Sequence, residues 1–475
     1  MNPWESYLEV HRARSLAELE DFLRLPSVSS LPEHVDDVQR AAEWAAGRLV
    51  RAGMEHVEVF PTDGHPMVYG DWLHAGDAPT ILMYGHVDVQ PADPFELWVS
   101  PPFEPDIRDG RIYARGASDM KGNLLESVLG TEALLQTQGS LPVNVKFIFE
   151  AEEEIGSPHV PAFVAEHRSL LACDLAVSAD GLQWGEDQPQ VALGCRGLAG
   201  LQIDVRGANA DLHSGLYGGA VPNPIHALAG ILSSMHDPDG TVSIEGFYDG
   251  VVAVSDGERT AIAEIPFDEA AYRRSLGLAH LVGEPSYTPL ERLWIRPTLE
   301  VNGIWGGFQG AGVKTVLPGE AHAKITCRLV AAQDPSRILE LLTAHIERHA
   351  PDGVTVEVQP LPGLAQPYSI PRDHWGNQAA DAVLTALYDK RPYYTRMGGT
   401  LPICGTFLSV LGAYTVGFGF ALGDEQIHAP NEFLRLSSFD RGARAWAALL
   451  LELAERKGST ASSAISASGS GAVPG

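Results

Sequence analysis

Four carboxylates occupy five consecutive positions in EAEEEIGS (150–157), directly after the apolar run Val143–Phe149. Like charges this close raise one another's proton affinity, so the cluster is costly unless a cation or a proton sits among them. Acidic residues in the first turn of a helix complement its dipole, and Gly-Ser-Pro at 156–158 is a good helix start. That accounts for one or two of the four carboxylates, and a metal would account for the rest. Other ligand types fall at the ends of other predicted strands: His86 and Asp88 in GHVDVQP, Asp180 closing LAVSAD, and His428 in GDEQIHAPNEF. Asp119, in RGASDMKGN, lies between a strand-like stretch and a helix opening near Gly122. Each has an ordinary use, Asp119 as a helix N-cap and His428 as a surface residue. Together they supply one histidine and one carboxylate for each of two metals around a shared Asp. His86 and Asp88 are two apart on a strand and face the same way, so Asp88 can fix the tautomer of His86 or steady a neighbouring catalytic group. The four cysteines, Cys173, Cys195, Cys327 and Cys404, form no CxxC pair, which leaves oxygen and imidazole as the metal's donors.

The elements that must position these residues alternate. Helical periodicity runs from Ala13 to Leu23 and from Asp36 to Ala52. Short β-rich runs follow at 80–89, 143–150 and 174–180, with helical patterns at 122–137 and 158–171. This predicts an α/β fold with a mostly parallel sheet flanked by helices, in which ligands gather at the carboxyl ends of the strands. From Gly197 to Gln366 the pattern changes to alternating strands (LAGLQIDVRG, AHAKITCRLV, VTVEVQP) around a helix from Ile338 to His349, as in an inserted α+β domain. A buried strand at 414–420 and an amphipathic helix from Arg441 to Arg456 return the chain to its first domain. The expected organisation is therefore 1–196, an insertion at 197–366, a return over 367–457, and a small, polar, unstructured tail at 458–475.

The chain has 475 residues, 45% of them hydrophobic and 20% charged, which is ample for two domains with real cores. Its formal net charge of −28 disfavours nucleic acid and anionic lipid as partners. No apolar run approaches the roughly 18–20 residues that span a bilayer. The N-terminus shows no basic segment followed by an apolar one, and the dispersed cysteines fit a reducing compartment, so a cytoplasmic protein is expected.

In this order and spacing GHVDVQP, GASDMKGN, EAEEEIGS, SAD and IHAPNEF resemble the metal-site motifs of the M20 metallopeptidase family, which includes the carnosinase-like dipeptidases. The resemblance runs from about residue 15 to about residue 455, and DLHSGLYGGAVPNP and GVKTVLP are similar to motifs of the dipeptidase branch. It implies a zinc-peptidase fold whose inserted domain serves as lid and dimerisation surface. It further implies two divalent ions, zinc in the first instance, with manganese or cobalt also suited to such ligands. Asp119 would bridge them, with His86 and Asp180 on one and Glu154 and His428 on the other. Glu153 matches the family's general base and Asp88 the acid beside the first histidine, leaving Glu150 and Glu152 to structural work. His213 would reach the active site of the other subunit of a homodimer to stabilise a tetrahedral oxyanion. Arg328 would clamp the substrate's terminal carboxylate, and Thr400, in TRMGGTLPI, would contact the peptide. Met397 departs from the pattern, since carnosinase-like members often carry an acidic residue there.

The chemistry fits amide hydrolysis, which needs an activated water and then a proton for the departing amine. The expected activity is cleavage of dipeptides or short peptides with a free C-terminal carboxylate. An N-acyl-amino-acid deacylase of the same fold is the alternative that Met397 raises. A non-catalytic acidic metal-binding protein is a further one, and His86 and His428 speak against it.

Overall fold

The computed structural model describes residues 2–468, without the side chains of 457–468, and divides into two compact units. The first comprises Met1–Leu193, Ile370–Tyr394 and the chain from Thr406 onward; the second comprises Gly194–Ser369 and Thr395–Gly405. Thr400 and Met397 thus belong with the inserted unit, although the sequence pattern put them in the returning segment.

The first unit is built on a six-stranded sheet in the order Glu55–Phe60, Met67–Trp72, Asn144–Glu150, Thr80–His86, Leu175–Ser178, Thr415–Gly417. The last four strands are mutually parallel and the first two join antiparallel. Every residue of Asn144–Glu150 is buried, as in a central strand covered on both faces. The helix Gly122–Gln138 is buried along its whole length to Leu134 and lies against the last helix, Leu436–Ser468. Gly130 makes this approach possible, because a Cβ there would sit 2.7 Å from the Trp446 Cβ and 2.8 Å from the Ala443 carbonyl oxygen. The chain leaves this unit at Leu193 and re-enters at Ile370, whose N–H donates to the Leu193 carbonyl at 3.0 Å.

Several elements depart from the sequence pattern. The first helix begins at Pro3, ten residues before the apolar periodicity, on a proline in its first turn and a capping box between Asn2 and Glu5. Only Thr415–Gly417 of the expected 414–420 strand is paired in this sheet; Ala421–Leu422 pairs with Leu182–Gln183. The final helix continues to Ser468 through the stretch expected to be unstructured. Alanine favours continuing a helix already nucleated. Residues 469–475 of that expected tail lie outside the described residues. No helix among the described residues is long and apolar enough to cross a membrane.

The second unit carries a four-stranded antiparallel sheet in the order Thr298–Gly306, Glu320–Leu329, Gly197–Arg206, Thr355–Pro360. Alternation sends Leu201, Ile203, Val205, Ile325, Cys327 and Leu329 to one face, where Ile231 and Leu342 from the helices Pro224–Ser233 and Pro335–His349 complete the core. The second of these helices is capped by Asp334, which accepts from the N–H groups of Ser336 and Arg337.

Candidate metal centre

Asp119 does not cap a helix. Its backbone is non-helical (φ −119°, ψ 95°), and the following helix opens at Gly122 after Lys121. The reason lies in Glu432, which is fully buried and pairs with Arg115 at 2.7 Å. Its two oxygens accept from the N–H groups of Gly116, Ser118 and Asp119 at 2.8–3.0 Å, so one carboxylate shapes the whole loop. The Asp119 side chain is left to point into the rim of the sheet. Its Oδ1 lies 3.2 Å from His86 Nε2 and its Oδ2 lies 3.0 Å from His428 Nε2.

His86 ends its strand completely buried, with Nδ1 3.0 Å from the Asp88 carbonyl oxygen. A carbonyl can only accept, so this contact puts the proton on Nδ1 and leaves Nε2 free to serve as a ligand. The Asp88 carboxylate stands 3.4 Å from that same Nδ1 and also reaches the acidic turn. It accepts from Ser29 Oγ at 2.6 Å and from the N–H groups of Glu153 and Glu154 at 3.3 and 3.1 Å. Asp88 therefore ties the His86 strand to the acidic turn.

That turn is a short 3-10 segment, Glu153–Ile155, closed by two residues of positive φ, Gly156 (88°) and Ser157 (54°). The helix expected from Gly-Ser-Pro accordingly starts only at Val160. The four carboxylates divide between two uses. Glu150 accepts from Tyr84 OH at 2.6 Å, and Glu152 from His65 N–H at 2.8 Å with His159 Nδ1 equally close. Glu154 faces His428 Nε2 at 3.2 Å and accepts from Gln90 Nε2 at 2.8 Å, while its Oε1 is buried with no partner among the described residues. His428 lies in a turn where Gln426, His428 and Asn431 all have positive φ (57°, 60° and 65°), an uncommon conformation for such residues that tends to cluster at functional sites.

Two groups thus form around one aspartate, His86–Asp119–Asp180 and Asp119–Glu154–His428, each with its ligand atoms within 4.8 Å of one another. The electrostatics show an excess of negative charge. Burial pushes Glu153 well up, with Asp180, Glu154 and Glu150 adding to it against His86. Burial and the Asp119 charge raise Asp180 to about 7. Burial also raises Asp119, but the hydrogen bonds from His428 and His86 outweigh it and hold that carboxyl below the usual range. His428 is raised to about 10 by its bonds to Asp119 and Glu154.

Sequence reasoning missed Glu432 and Gln90, although both stand inside motifs that were singled out, IHAPNEF and GHVDVQP. A second carboxylate four residues after a candidate ligand was the available signal. The three candidate substrate residues lie in the second unit. Arg328 Nη1 donates to Thr400 Oγ1 at 2.6 Å, so these two meet. His213 stands apart on a short exposed strand paired with Val316, its Nδ1 accepting from Gly215 N–H.

Comparison with known proteins gives the same direction. The human Beta-Ala-His dipeptidase is 29% identical over 468 residues, 94% of this chain and 92% of that protein. The cysteinylglycine-S-conjugate dipeptidase of Corynebacterium striatum is 32% identical over 76% of this chain and 78% of its own length. Among solved structures, the M20 family metallo-carboxypeptidase Sso-CP2 from Sulfolobus solfataricus superposes with a TM-score of 0.84 at 31% identity, covering 93% of this chain and 99% of that one. The profile of Peptidase family M20/M25/M40 matches residues 82–452, and the chain belongs to that family.

Proposed function

We propose that this peptidase hydrolyses the amide bond of dipeptides, or similarly short peptides, that carry a free C-terminal carboxylate, using two divalent metal ions at the rim of its parallel sheet. The observation that carries the reading is Asp119, whose two oxygens each face a different histidine at 3.2 and 3.0 Å. The donor set fits such ions: two imidazoles and three carboxylates without a thiolate, and a buried Glu154 oxygen that has no hydrogen-bond partner among the described residues. Zinc suits these donors, and manganese or cobalt would also be accepted. When bound, the ions supply Lewis acidity toward the amide carbonyl and bring the pKa of water near neutrality.

The chain's own residues do the rest. Asp119, held ionised by its histidines, would be shared by the two ions, which His86 and Asp180 would hold on one side and Glu154 and His428 on the other. Glu153 is the general base. Its raised proton affinity lets it take a proton from water and return it to the departing amine nitrogen, a contribution of roughly 10²–10⁴-fold. Asp88 sets the distance between base and ligand, because it holds the Glu153 and Glu154 N–H groups and the His86 ring at once. Arg328, steadied by Thr400, receives the terminal carboxylate through its planar fork of donors. His213 of a second copy in a homodimer steadies the oxyanion, and the enzyme works in the reducing cytoplasm on small peptides.

Metal analysis of the purified protein, with hydrolysis of free and N-acetylated dipeptides, tests this. Two equivalents of metal and cleavage of the free dipeptides are expected. Met397, where carnosinase-like members often carry an acidic residue, favours a second reading as an N-acyl-amino-acid deacylase, and turnover of the N-acetylated series alone would establish it.

A further inference from the structure

Beside the polar face of its sheet the second unit holds a cavity of about 780 Å³, lined by Arg196, Arg292, Arg296 and Arg328 together with Glu284 and Glu300. Among the described residues only Arg296 has an ion-pair partner there, donating to both oxygens of Glu284 at 2.8 and 2.7 Å. Arg292 donates to the carbonyls of Glu284 and Val282, Arg328 to Thr400, and Arg196 through Nε to the Gly398 carbonyl at 2.8 Å. Arg196 Nη1 is buried with no partner among the described residues. Burial, and then the charge of Arg328, bring Arg196 down to about 10. Three guanidinium groups without an ion pair among the described residues thus line one cavity with one exposed carboxylate, Glu300, inside a protein whose formal charge is −28. Such an excess of one sign is costly unless a ligand of the opposite sign completes it, and a guanidinium fork matches a carboxylate.

We propose that Arg196 is a specificity-determining residue that receives a second carboxylate beside the one bound by Arg328, so that the preferred peptide ends in glutamate or aspartate. This rests on the reading of Arg328 as the clamp for the terminal carboxylate. Two cations side by side in one cavity accommodate two carboxylates better than one, and Arg196 Nη1 has no hydrogen-bond partner among the described residues.

Alanyl-glutamate and alanyl-glutamine, near-isosteric and differing by one charge, test the proposal on the metal-loaded enzyme. The ratio of kcat/KM should favour the glutamate peptide by about tenfold or more, mostly through KM. Arg196→Gln should bring that ratio to about one, and Arg196→Lys should keep part of it; loss of a merely structural contact would slow both peptides equally and leave the ratio unchanged. Equal ratios in the unaltered enzyme, or an unchanged preference in Arg196→Gln, would overturn the assignment. If neither peptide is cleaved the dipeptidase reading fails instead, and calorimetric titration with free glutamate against glutamine then decides: preference for glutamate that depends on Arg196 upholds the site, and its absence removes it.

Discussion

Two buried charge clusters in the first unit solve the same problem in opposite ways. Around Arg48, which is 1% exposed, the charges balance within the chain: Arg48 donates to Glu18 at 2.9 Å and to Glu132, and Glu132 also accepts from Arg14 and Tyr7, each at 2.8 Å. Burial pushes Glu132 up, yet the neighbouring Arg48 charge more than offsets it and the carboxyl titrates below its usual value. At the sheet rim Asp119, Glu153, Glu154 and Asp180 share two histidines, and three of the four carboxyls are raised. A cluster that neutralises itself ties helices together. One that stays unbalanced after every internal partner is counted marks a place for a ligand.

The comparison can be broken most severely at Asp119. Asp119→Ala should cost both metals, read by elemental analysis, and reduce turnover to background. Glu153→Ala should keep both metals while turnover falls roughly 10²–10⁴-fold, and retention of most activity would show that another group takes the proton. In the balanced cluster the outcome reverses. Glu132→Gln leaves Arg48 undercompensated and should lower unfolding free energy by about 3–5 kcal/mol in denaturant titration, with metal content and kcat unchanged.

The smallest expected effect is on pH dependence. Burial, reinforced by the Asp88 charge, raises Glu150 from its ordinary value of about 4.5 to about 7. A carboxyl raised in the folded state keeps its proton while the unfolded chain ionises. Stability of the metal-free protein should therefore fall as pH rises from about 4.5 to about 7 and then level off, by about 3 kcal/mol from this group. Glu150→Gln should flatten that slope in thermal melts, and an unchanged slope would assign it elsewhere.

Much of this was legible in the sequence because strand ends carry ligands and strands have a simple period. His86, Asp180 and the acidic turn could be placed from apolar runs that stop at a polar residue. The alternating strands of the insertion were legible for the same reason. What escaped was set by long-range hydrogen bonding. The spacing of Glu432 from His428 flags it as a candidate, but not that it shapes the loop around Asp119, since those two are far apart in the chain and meet only on folding. The pairing of Asp88 with His86 could be read from their two-residue spacing, whereas its hold on the N–H groups of Glu153 and Glu154 joins segments more than sixty residues apart. The helix start after Gly-Ser-Pro was misplaced because Ser157 adopts a positive φ that its residue type does not advertise.

The hydrogen bond between Ile370 and Leu193, continued by the pairing of Ser369 with Gly194 and Tyr368 with Cys195, makes the insertion, topologically, a closed loop. The entropy of closing such a loop grows only with the logarithm of its length. An excursion of residues 194–369 therefore costs the parent sheet little more than a far shorter one would. Selection can enlarge, trim or exchange that segment while the rim holding the candidate metal ligands folds on its own strands.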